Sequence, residues 1–196
     1  LVDGHHVVHA YDVVGHSLDS AVVVSKYGRV CLSTAQVRTT SLKTLPDYLE
    51  HGLDVVFVGI NPGAYSAEVG HYFATPQNRF WPAVNGSRLF TRPLNASTDH
   101  LALAQRVGFT DVVKRPSNSA SKLRVGDCRT GAPVLKEKLM EYRPLIVCFQ
   151  GVTAYKNYLR HAEEIEARPE LGLQPESIGE SAVFVVPNPS PANASY

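Results

Sequence analysis

From Asp54 onward, two kinds of segment alternate along the chain. Val55–Val58, Leu145–Phe149 and Ala182–Val186 are short, continuous apolar runs. Such runs are typical of strands that are covered on both faces, as in a parallel sheet. Thr110–Val113 predicts a further short strand.

Helical patterns separate these strands. A stretch beginning at Asn78 places Phe80, Trp81 and Val84 on one helical face, whereas residues 116–131, rich in Ser, Gly and Lys, predict an exposed loop. Further helices are predicted at His100–Arg106, Val134–Tyr142 and Thr153–Arg160. Strands that alternate with helices predict an α/β fold, a three-layer α/β/α domain with a central, mainly parallel sheet.

Two loops rich in polar residues, 59–78 and 187–196, each follow a strand end. In doubly wound sheets the ligand crevice lies beyond the carboxyl ends of the strands, so both loops should line one crevice. We therefore predict one functional domain over residues 54–196. Residues 1–53 are an N-terminal extension of unknown role, and whether it packs on the domain stays open. The chain begins at Leu1 rather than Met, which is consistent with a fragment.

Composition narrows the class of protein only slightly. The chain has 196 residues, of which 44% are hydrophobic and 19% charged, and these values suit a globular protein rather than a disordered one. Its net charge of +1 means that a nucleic-acid partner would need a local basic face. No apolar run is long enough to span a bilayer, so no membrane partner is expected. The three cysteines have no paired spacing, which favours reduced thiols in an intracellular protein.

The first segment that carries chemistry is Gly59-Ile60-Asn61-Pro62-Gly63. Glycines permit backbone shapes closed to other residues, and Pro62 stiffens the turn that follows Asn61. An amide held rigidly at a strand end can bind a water molecule and aim it, although it cannot act as a strong base. Taken alone, the segment is better explained as a simple turn.

Further motifs follow in a fixed order. They are Gly70-His71-Tyr72-Phe73, Pro76 with Asn78-Arg79-Phe80-Trp81, Gly108-Phe109-Thr110-Asp111-Val112-Val113 with Arg115-Pro116, Tyr142-Arg143-Pro144 with the strand to Gly151, and Pro187-Asn188-Pro189-Ser190. Together they resemble the thymine-DNA glycosylase and mismatch-specific uracil-DNA glycosylase family, within the uracil-DNA glycosylase superfamily, over roughly residues 54–196.

The resemblance implies a monofunctional DNA N-glycosylase of base excision repair. It implies hydrolysis of the N-glycosidic bond of uracil, with thymine or other damaged pyrimidines as further substrates, in G·U or G·T mismatches of double-stranded DNA. Single-stranded DNA is a further possible substrate. We also expect a monomer located in the nucleus of a eukaryote or the cytoplasm of a bacterium.

The resemblance also assigns roles to single residues. Asn61 matches the asparagine that positions the hydrolytic water, and Phe73 matches the aromatic ring that stacks on the flipped base. The alternative for Phe73 is a core aromatic. Substrate contacts are expected at Gly59, Ile60, Gly63, Phe73, Asn78 and Ser117.

Asp111 departs from the family pattern, because many relatives carry an amide or a basic residue there. A carboxylate at a strand end could orient or deprotonate the attacking water and stabilise the positive sugar. A capping or salt-bridging aspartate is the alternative. We expect Asp111 to act with Asn61 as a catalytic residue.

DNA contacts are expected on two loops. One comprises the basic residues Lys114, Arg115, Lys122 and Arg124, which would touch phosphates without reading sequence. The other comprises Asn188, Pro189, Ser190, Pro191, Ala192 and Asn193. In relatives this loop inserts a large wedge into the gap left by the flipped nucleotide, and Ala192, which matches the wedge, can fill little of it.

The implied chemistry requires no metal and no cofactor. Cleavage of the bond produces an oxocarbenium-like sugar and a pyrimidine anion, which fixed hydrogen-bond donors can stabilise. Glycosidases use two carboxylates because their alkoxide leaving group needs a proton, whereas a uracil anion leaves without a full proton donor.

The motifs leave three alternative functions. One is a uracil-DNA glycosylase without mismatch preference, and another is a non-catalytic module that binds DNA mismatches. A Rossmann-type nucleotide enzyme is disfavoured, because no Gly-x-Gly-x-x-Gly or P-loop follows a strand.

Overall fold

The structure, a computed structural model, describes residues 23–24, 30–31, 43–191 and Asn193. The chain divides into two compact units, Leu1–Ser41 and Leu42–Tyr196. In the first unit, β1 (Val23–Val24) and β2 (Val30–Cys31) pair in antiparallel orientation.

The second unit is built on a five-stranded sheet in the order β4-β3-β5-β7-β6. Its strands are β3 (Val55–Gly59), β4 (Val107–Asp111), β5 (Ile146–Gln150), β6 (Gly172–Ile178) and β7 (Ser181–Val186). The pairs β3–β4, β3–β5 and β5–β7 are parallel, and only the edge strand β6 is antiparallel to its neighbour. The predicted mainly parallel sheet is therefore confirmed.

Helices cover both faces of this sheet. They are α1 (Ala64–Val69), α2 (Phe80–Gly86), α3 (Val125–Tyr142) and α4 (Val152–Ala162), with 3-10 helices at Ala96–Gln105 and Ala120–Lys122. On one face, Val56 and Val58 of β3 share a buried cluster with residues of α3 and α4. On the other face, Phe57 shares a cluster with Phe80 and Trp81 of α2. Alternate side chains of one strand thus hold both helical layers, which confirms the three-layer architecture.

Two predicted boundaries are wrong. The strand predicted at Thr110–Val113 lies at Val107–Asp111, because the apolar pair Val112 and Val113 bonds instead to the carbonyls of Gly59 and Ile60 beyond the end of β3. The loop predicted at 116–131 ends at Arg124, and its second half is the start of α3. Asp127 stabilises this start of the helix, because its carboxylate accepts a hydrogen bond from the backbone N–H of Arg124 at 2.8 Å.

Residues 43–53, which precede β3, belong to the same compact unit as the sheet. Leu45 and Leu53 are buried, and Tyr48 exchanges two backbone hydrogen bonds with Phe109 of β4. The predicted division at residue 53 stays a prediction. Within the part of the chain that the structure describes, no helix is both long and apolar enough to cross a membrane.

The contact between α3 and the segment that follows β4 generates a stability prediction. A Cβ atom on Gly131 would lie 2.1 Å from the backbone oxygen of Val112. Gly131→Ala should therefore lower the free energy of unfolding by about 1–3 kcal/mol, although alanine favours helix, because backbone must move to admit the methyl group. Urea denaturation measures the change.

Gly126 provides the matched control, since it lies in the same helix and a Cβ there meets nothing within 4 Å. Gly126→Ala should leave stability unchanged or raise it by up to about 1 kcal/mol. If Gly131→Ala proved as stable as Gly126→Ala, the close packing of α3 on the backbone of Val112 would be contradicted.

Candidate functional site

A cavity of about 530 Å³ opens at the carboxyl edge of the sheet. It is lined by the loops that follow β3, β4, β5 and β7, so the predicted meeting of the 59–78 and 187–196 loops is confirmed as far as the structure describes them. The predicted site residues that line it are Gly59, Ile60, Asn61, Gly63, Phe73, Asn78, Asp111, Ser117, Asn188, Pro189, Ser190 and Asn193. The lining does not include Lys114, Arg115, Lys122 or Pro191, and Ala192 lies outside the described residues.

The side-chain amide of Asn61 is fixed in one orientation. Its Nδ2 donates to the carbonyl of Pro62 at 2.9 Å, to the hydroxyl of Ser117 at 3.0 Å and to the carbonyl of Arg115 at 3.3 Å. No donor to Oδ1 is present among the described residues. Three acceptors on the nitrogen leave the carbonyl oxygen available for a water molecule in the cavity.

Ser117 connects this amide to the loop after β4. Its hydroxyl accepts from Asn61 and donates to the carbonyl of Ser119 at 2.7 Å, while its backbone N–H donates to Pro62. Ser117 therefore orients Asn61. The resemblance predicted only a substrate contact at Ser117, not this hydrogen bond.

The ring of Phe73 forms part of the cavity wall. It stacks on Phe80 with ring centroids 3.8 Å apart and an interplanar angle of 24°. Its φ of +54° lies in the left-handed region, which costs a non-glycine residue about 1–2 kcal/mol. A strained backbone at a cavity wall is often retained for function, so the geometry fits both a stacking surface and a core contact.

Asp99, a residue that the sequence motifs do not include, holds the segment before Phe73. Its side chain is fully buried and accepts from the backbone N–H of Tyr72 at 2.7 Å and from Tyr48 Oη at 3.3 Å. Its Oδ1 also lies 3.1 Å from His71 Nδ1. The residue sits in a polar helical segment, and nothing in the local sequence distinguishes it from a surface aspartate.

Asn78 begins the segment that leads into α2. Its Oδ1 accepts the backbone N–H of Phe80 at 2.9 Å, which fixes the side chain. In residues 43–191 no acceptor is seen for Nδ2 of Asn78, so this donor remains available at the cavity wall.

Asp111 lies beside Gly59 at the ends of two paired strands. A Cβ on Gly59 would lie 2.5 Å from Asp111 Oδ1, so a larger residue there would displace the carboxylate from this position. Glycine permits unusual backbone shapes, but neither Gly59 nor Gly63 has a positive φ, so neither position uses that freedom. Gly59 is needed for the space it leaves.

Burial raises the pKa of Asp111 to about 6, against 3.8 for an ordinary aspartate. The nearby charge of Lys114, 3.5 Å from Oδ2, opposes this shift, and a weak hydrogen bond from Tyr72 at 3.4 Å opposes it further. The side chain is only 5% exposed. Asp111 is thus a buried carboxylate that changes protonation state near neutral pH.

Lys114, predicted to contact DNA, has partners within the protein. Its ammonium group lies 2.8 Å from Asp47, which also accepts from Lys138 at 2.6 Å and from Thr110 at 2.7 Å. Although burial opposes it, the charge of Lys114 and the hydrogen bonds from Lys114, Lys138 and Thr110 lower the pKa of Asp47.

Arg115 is also engaged internally, with Asp127 at 2.6 Å and with the carbonyl of Lys122 at 2.9 Å. The guanidinium group holds the loop between β4 and α3 against the start of α3. DNA contact by Lys114, Arg115 and Lys122 stays a prediction, and for the first two it competes with these ion pairs.

Arg79, for which the sequence motifs gave no role, anchors the 187–193 loop. Its backbone N–H donates to the carbonyl of Pro189 at 3.1 Å, and its Nη2 donates to the carbonyls of Ser190 at 3.2 Å and Asn193 at 2.6 Å. Within the loop, Asn188 Oδ1 accepts the N–H of Ser190 at 2.9 Å. The predicted wedge residue Ala192 lies outside the described residues.

The described residues contain no cluster of three His, Cys, Asp or Glu side chains arranged to hold a metal ion. The polar groups at the cavity are amides, hydroxyls and one carboxylate. Such a set can orient water and exchange a proton.

Comparison with known proteins identifies relatives. The family model of the uracil DNA glycosylase superfamily matches residues 46–196. The chain is 33% identical, over 82% of its length, to the G/U mismatch-specific uracil DNA glycosylase of Schizosaccharomyces pombe, and it spans 51% of that relative. Among solved structures, it is similar to a candidate uracil DNA glycosylase from Methanosarcina acetivorans, with a TM-score of 0.51 and 21% identity over 78% of this chain and 86% of the other. That likeness supports the fold.

Proposed function

Because the chain belongs to the uracil DNA glycosylase superfamily, we propose that it is a DNA-repair enzyme that hydrolyses the N-glycosidic bond of uracil. We also propose that uracil mispaired with guanine is its preferred substrate, because the Schizosaccharomyces pombe relative is named for G/U mismatches. The chain spans about half of that relative, so activity, substrate and partner are all proposals for this protein.

The observation that carries the proposal is the fixed amide of Asn61 at the cavity. A hydrolytic water needs an acceptor that holds it in one place, and the three hydrogen bonds of Nδ2 keep the side chain from turning that acceptor away. Positioning of this kind lowers the barrier because the cost of ordering the groups is met when the protein folds.

The substrate base must leave the duplex to reach this cavity, because its sugar bond is inaccessible within the stack. Phe73 offers a ring to the extruded pyrimidine, with Phe80 supporting the opposite side. Stacking on such a ring stabilises a bound base by about 1–3 kcal/mol. The supported ring would therefore offset part of the unstacking energy.

Cleavage then separates charge between sugar and base. The sugar becomes oxocarbenium-like, and the pyrimidine leaves as an anion that fixed donors can stabilise. Asp111, when ionised, can accept a proton from the water or stabilise the positive sugar through its charge. Its position beside Gly59, two residues from Asn61, supports a shared role for the two side chains.

Duplex DNA would approach the mouth of the cavity, where Asn188, Pro189 and Ser190 line its edge. Arg79 holds these residues in one conformation, so contact with the sugar-phosphate backbone needs little further ordering. We propose DNA as the partner, an intracellular site of action and a monomeric enzyme.

Asn61→Ala tests the central role. Removal of a preorganised polar group should reduce single-turnover excision of uracil from a G·U duplex by about 100-fold. Affinity for the duplex should change little, since Asn61 acts on the water. Gel detection of abasic sites measures the rate.

Asn157→Ala is the control, because Asn157 is a half-buried asparagine of α4, outside the cavity lining, whose Nδ2 donates within its own helix to the carbonyl of Thr153. Near-normal excision by Asn61→Ala would reject the assignment.

The same assay on A·U duplexes and single strands should give slower excision than on G·U, and equal rates would favour a glycosylase without mismatch preference. A protein that binds the G·U duplex but cuts nothing would be a mismatch-binding module.

Asp111→Asn should move activity and stability in opposite directions. Excision should fall, and the decline of the wild-type rate below a pH of about 6 should disappear, because the variant has no carboxyl group to protonate. Because the pKa of Asp111 is higher in the folded than in the unfolded state, folding takes up a proton between pH of about 4 and 6.

The unfolding free energy contributed by Asp111 therefore decreases as pH rises through this window. At pH 7.5 the free energy of unfolding of Asp111→Asn should be at least that of wild type and at most about 3 kcal/mol higher. This difference should shrink toward pH 4.5. Urea denaturation at both pH values measures this, with Asp54→Asn at an exposed ion pair as control. An unchanged pH–rate profile would leave Asp111 structural.

A further inference from the structure

Gln150 is a buried polar residue at the cavity that the proposed mechanism leaves unused. It ends β5 and pairs with Val186, one position beyond the pair of Phe149 with Val58. The side chain is 3% exposed, yet the residue lines the cavity. Its Nε2 is buried and has no hydrogen-bond partner within the described ranges.

Sheet geometry places this amide on the same face as Asp111. Side chains two positions apart on a strand share a face. Gln150 therefore shares a face with Cys148, and Asp111 shares one with Phe109. Cys148 and Phe109 both belong to the buried cluster that includes residues of α2, so these two faces are the same side of the sheet. Asp111, Gly59 and Gln150 therefore form a row across three neighbouring strands at the carboxyl edge, which we call the edge row.

The centre of the edge row has no side chain of its own, because its residue is Gly59, and the Asp111 carboxylate extends into that space. Strands lie about 4.8 Å apart, so the backbones of Asp111 and Gln150 are separated by roughly 10 Å across a residue without a side chain. One end of the row is a carboxylate that accepts hydrogen bonds, and the other is an amide with an unused donor. A planar ring with both N–H and C=O groups on its edge is complementary to this arrangement.

Gln150 borders two spaces, the cavity and a groove beside β7, and of these the cavity has the more polar lining. On its other side Gln150 borders a groove whose nearest strand residues, Cys148, Phe184 and Val186, are apolar in their side chains. Buried donors are nearly always paired in native proteins, and an unpaired one carries a substantial penalty. The amide can turn about its last side-chain bond, which exchanges the positions of Oε1 and Nε2 without moving the backbone.

Building on the proposed function, we propose that Gln150 is a substrate-contacting residue that donates a hydrogen bond from Nε2 to a carbonyl oxygen of the extruded pyrimidine. Uracil presents two such oxygens, and both gain negative charge as the bond to the sugar breaks. A donor placed there strengthens its hydrogen bond in the transition state, so it increases the rate of cleavage more than the binding of DNA.

Gln150→Met tests the contact, because methionine keeps the unbranched shape and removes both polar groups. Single-turnover excision should be compared on G·U duplexes that carry uracil, 2-thiouracil or 4-thiouracil, since sulfur is a weak acceptor. Wild type should cut one of the two thio bases about 10-fold more slowly than uracil, which identifies the contacted oxygen. Gln150→Met should cut uracil about 10-fold more slowly than wild type and should not distinguish uracil from that thio base.

Cys148→Ala is the matched control, since Cys148 lies two positions earlier on the same face of β5 and outside the cavity lining. It should keep the wild-type preference. Gln150→Glu is a second variant that keeps the amide's shape but, when ionised, offers only acceptors, and it too should cut uracil more slowly than wild type.

One result would overturn the role of Gln150 and leave the proposed function standing: wild type is active, and Gln150→Met and Gln150→Glu show its rates and its thio-base preference. That result would indicate that water satisfies the amide. A wild-type protein that releases no base from any of these duplexes would overturn the proposed function, and the role of Gln150 with it.

Discussion

The close approach of Asp111 to Gly59 is the constraint around which the site is built. Two parallel strands end side by side, and the carboxylate from one occupies the space where any side chain on the other would begin. That arrangement buries a carboxylate, and burial raises the pKa of Asp111 because the charged form is withdrawn from water. A protein that keeps an unfavourable group at a cavity wall does so most readily where that group contributes to function.

The surrounding contacts serve to hold this edge rigid. Asn61 is fixed by carbonyls and a hydroxyl from two loops, and the fully buried Asp99 fixes the turn that carries Phe73. Lys114 forms an ion pair with Asp47 and lies 3.5 Å from Asp111. Arg79 connects the start of α2 to the loop after β7 by hydrogen bonds. Most of these interactions connect segments distant in sequence, so the cavity forms only when those segments have come together. Rigid polar groups of this kind stabilise a transition state more effectively than mobile ones.

Sequence alone predicted the layers, the parallel strands and the shared crevice, because apolar runs and helical periodicity record burial directly. It placed Asn61 and Phe73 at the cavity through motif resemblance, and Asp111 through its position at a strand end. It misplaced the start of α3, since Gly126, Gly131 and Pro133 resemble loop residues while the capping contact of Asp127 is visible only in three dimensions. It also could not show that Gly59 is needed for space, or that the donor of Gln150 is buried without a partner among the described residues, because both facts depend on neighbouring strands.

The central claim is that one cavity at the carboxyl edge receives an extruded pyrimidine. It is tested most directly by a crystal structure of the protein with a G·U duplex that carries 2′-fluoro-2′-deoxyuridine, whose fluorine disfavours the oxocarbenium-like transition state and so preserves the bond. We predict that the uracil ring lies outside the duplex, with one face on Phe73, its edge toward Asp111, Gly59 and Gln150, and a water held by Asn61 near the sugar. A uracil that remains stacked in the duplex, or one seated in the apolar groove beside β7, would contradict the claim.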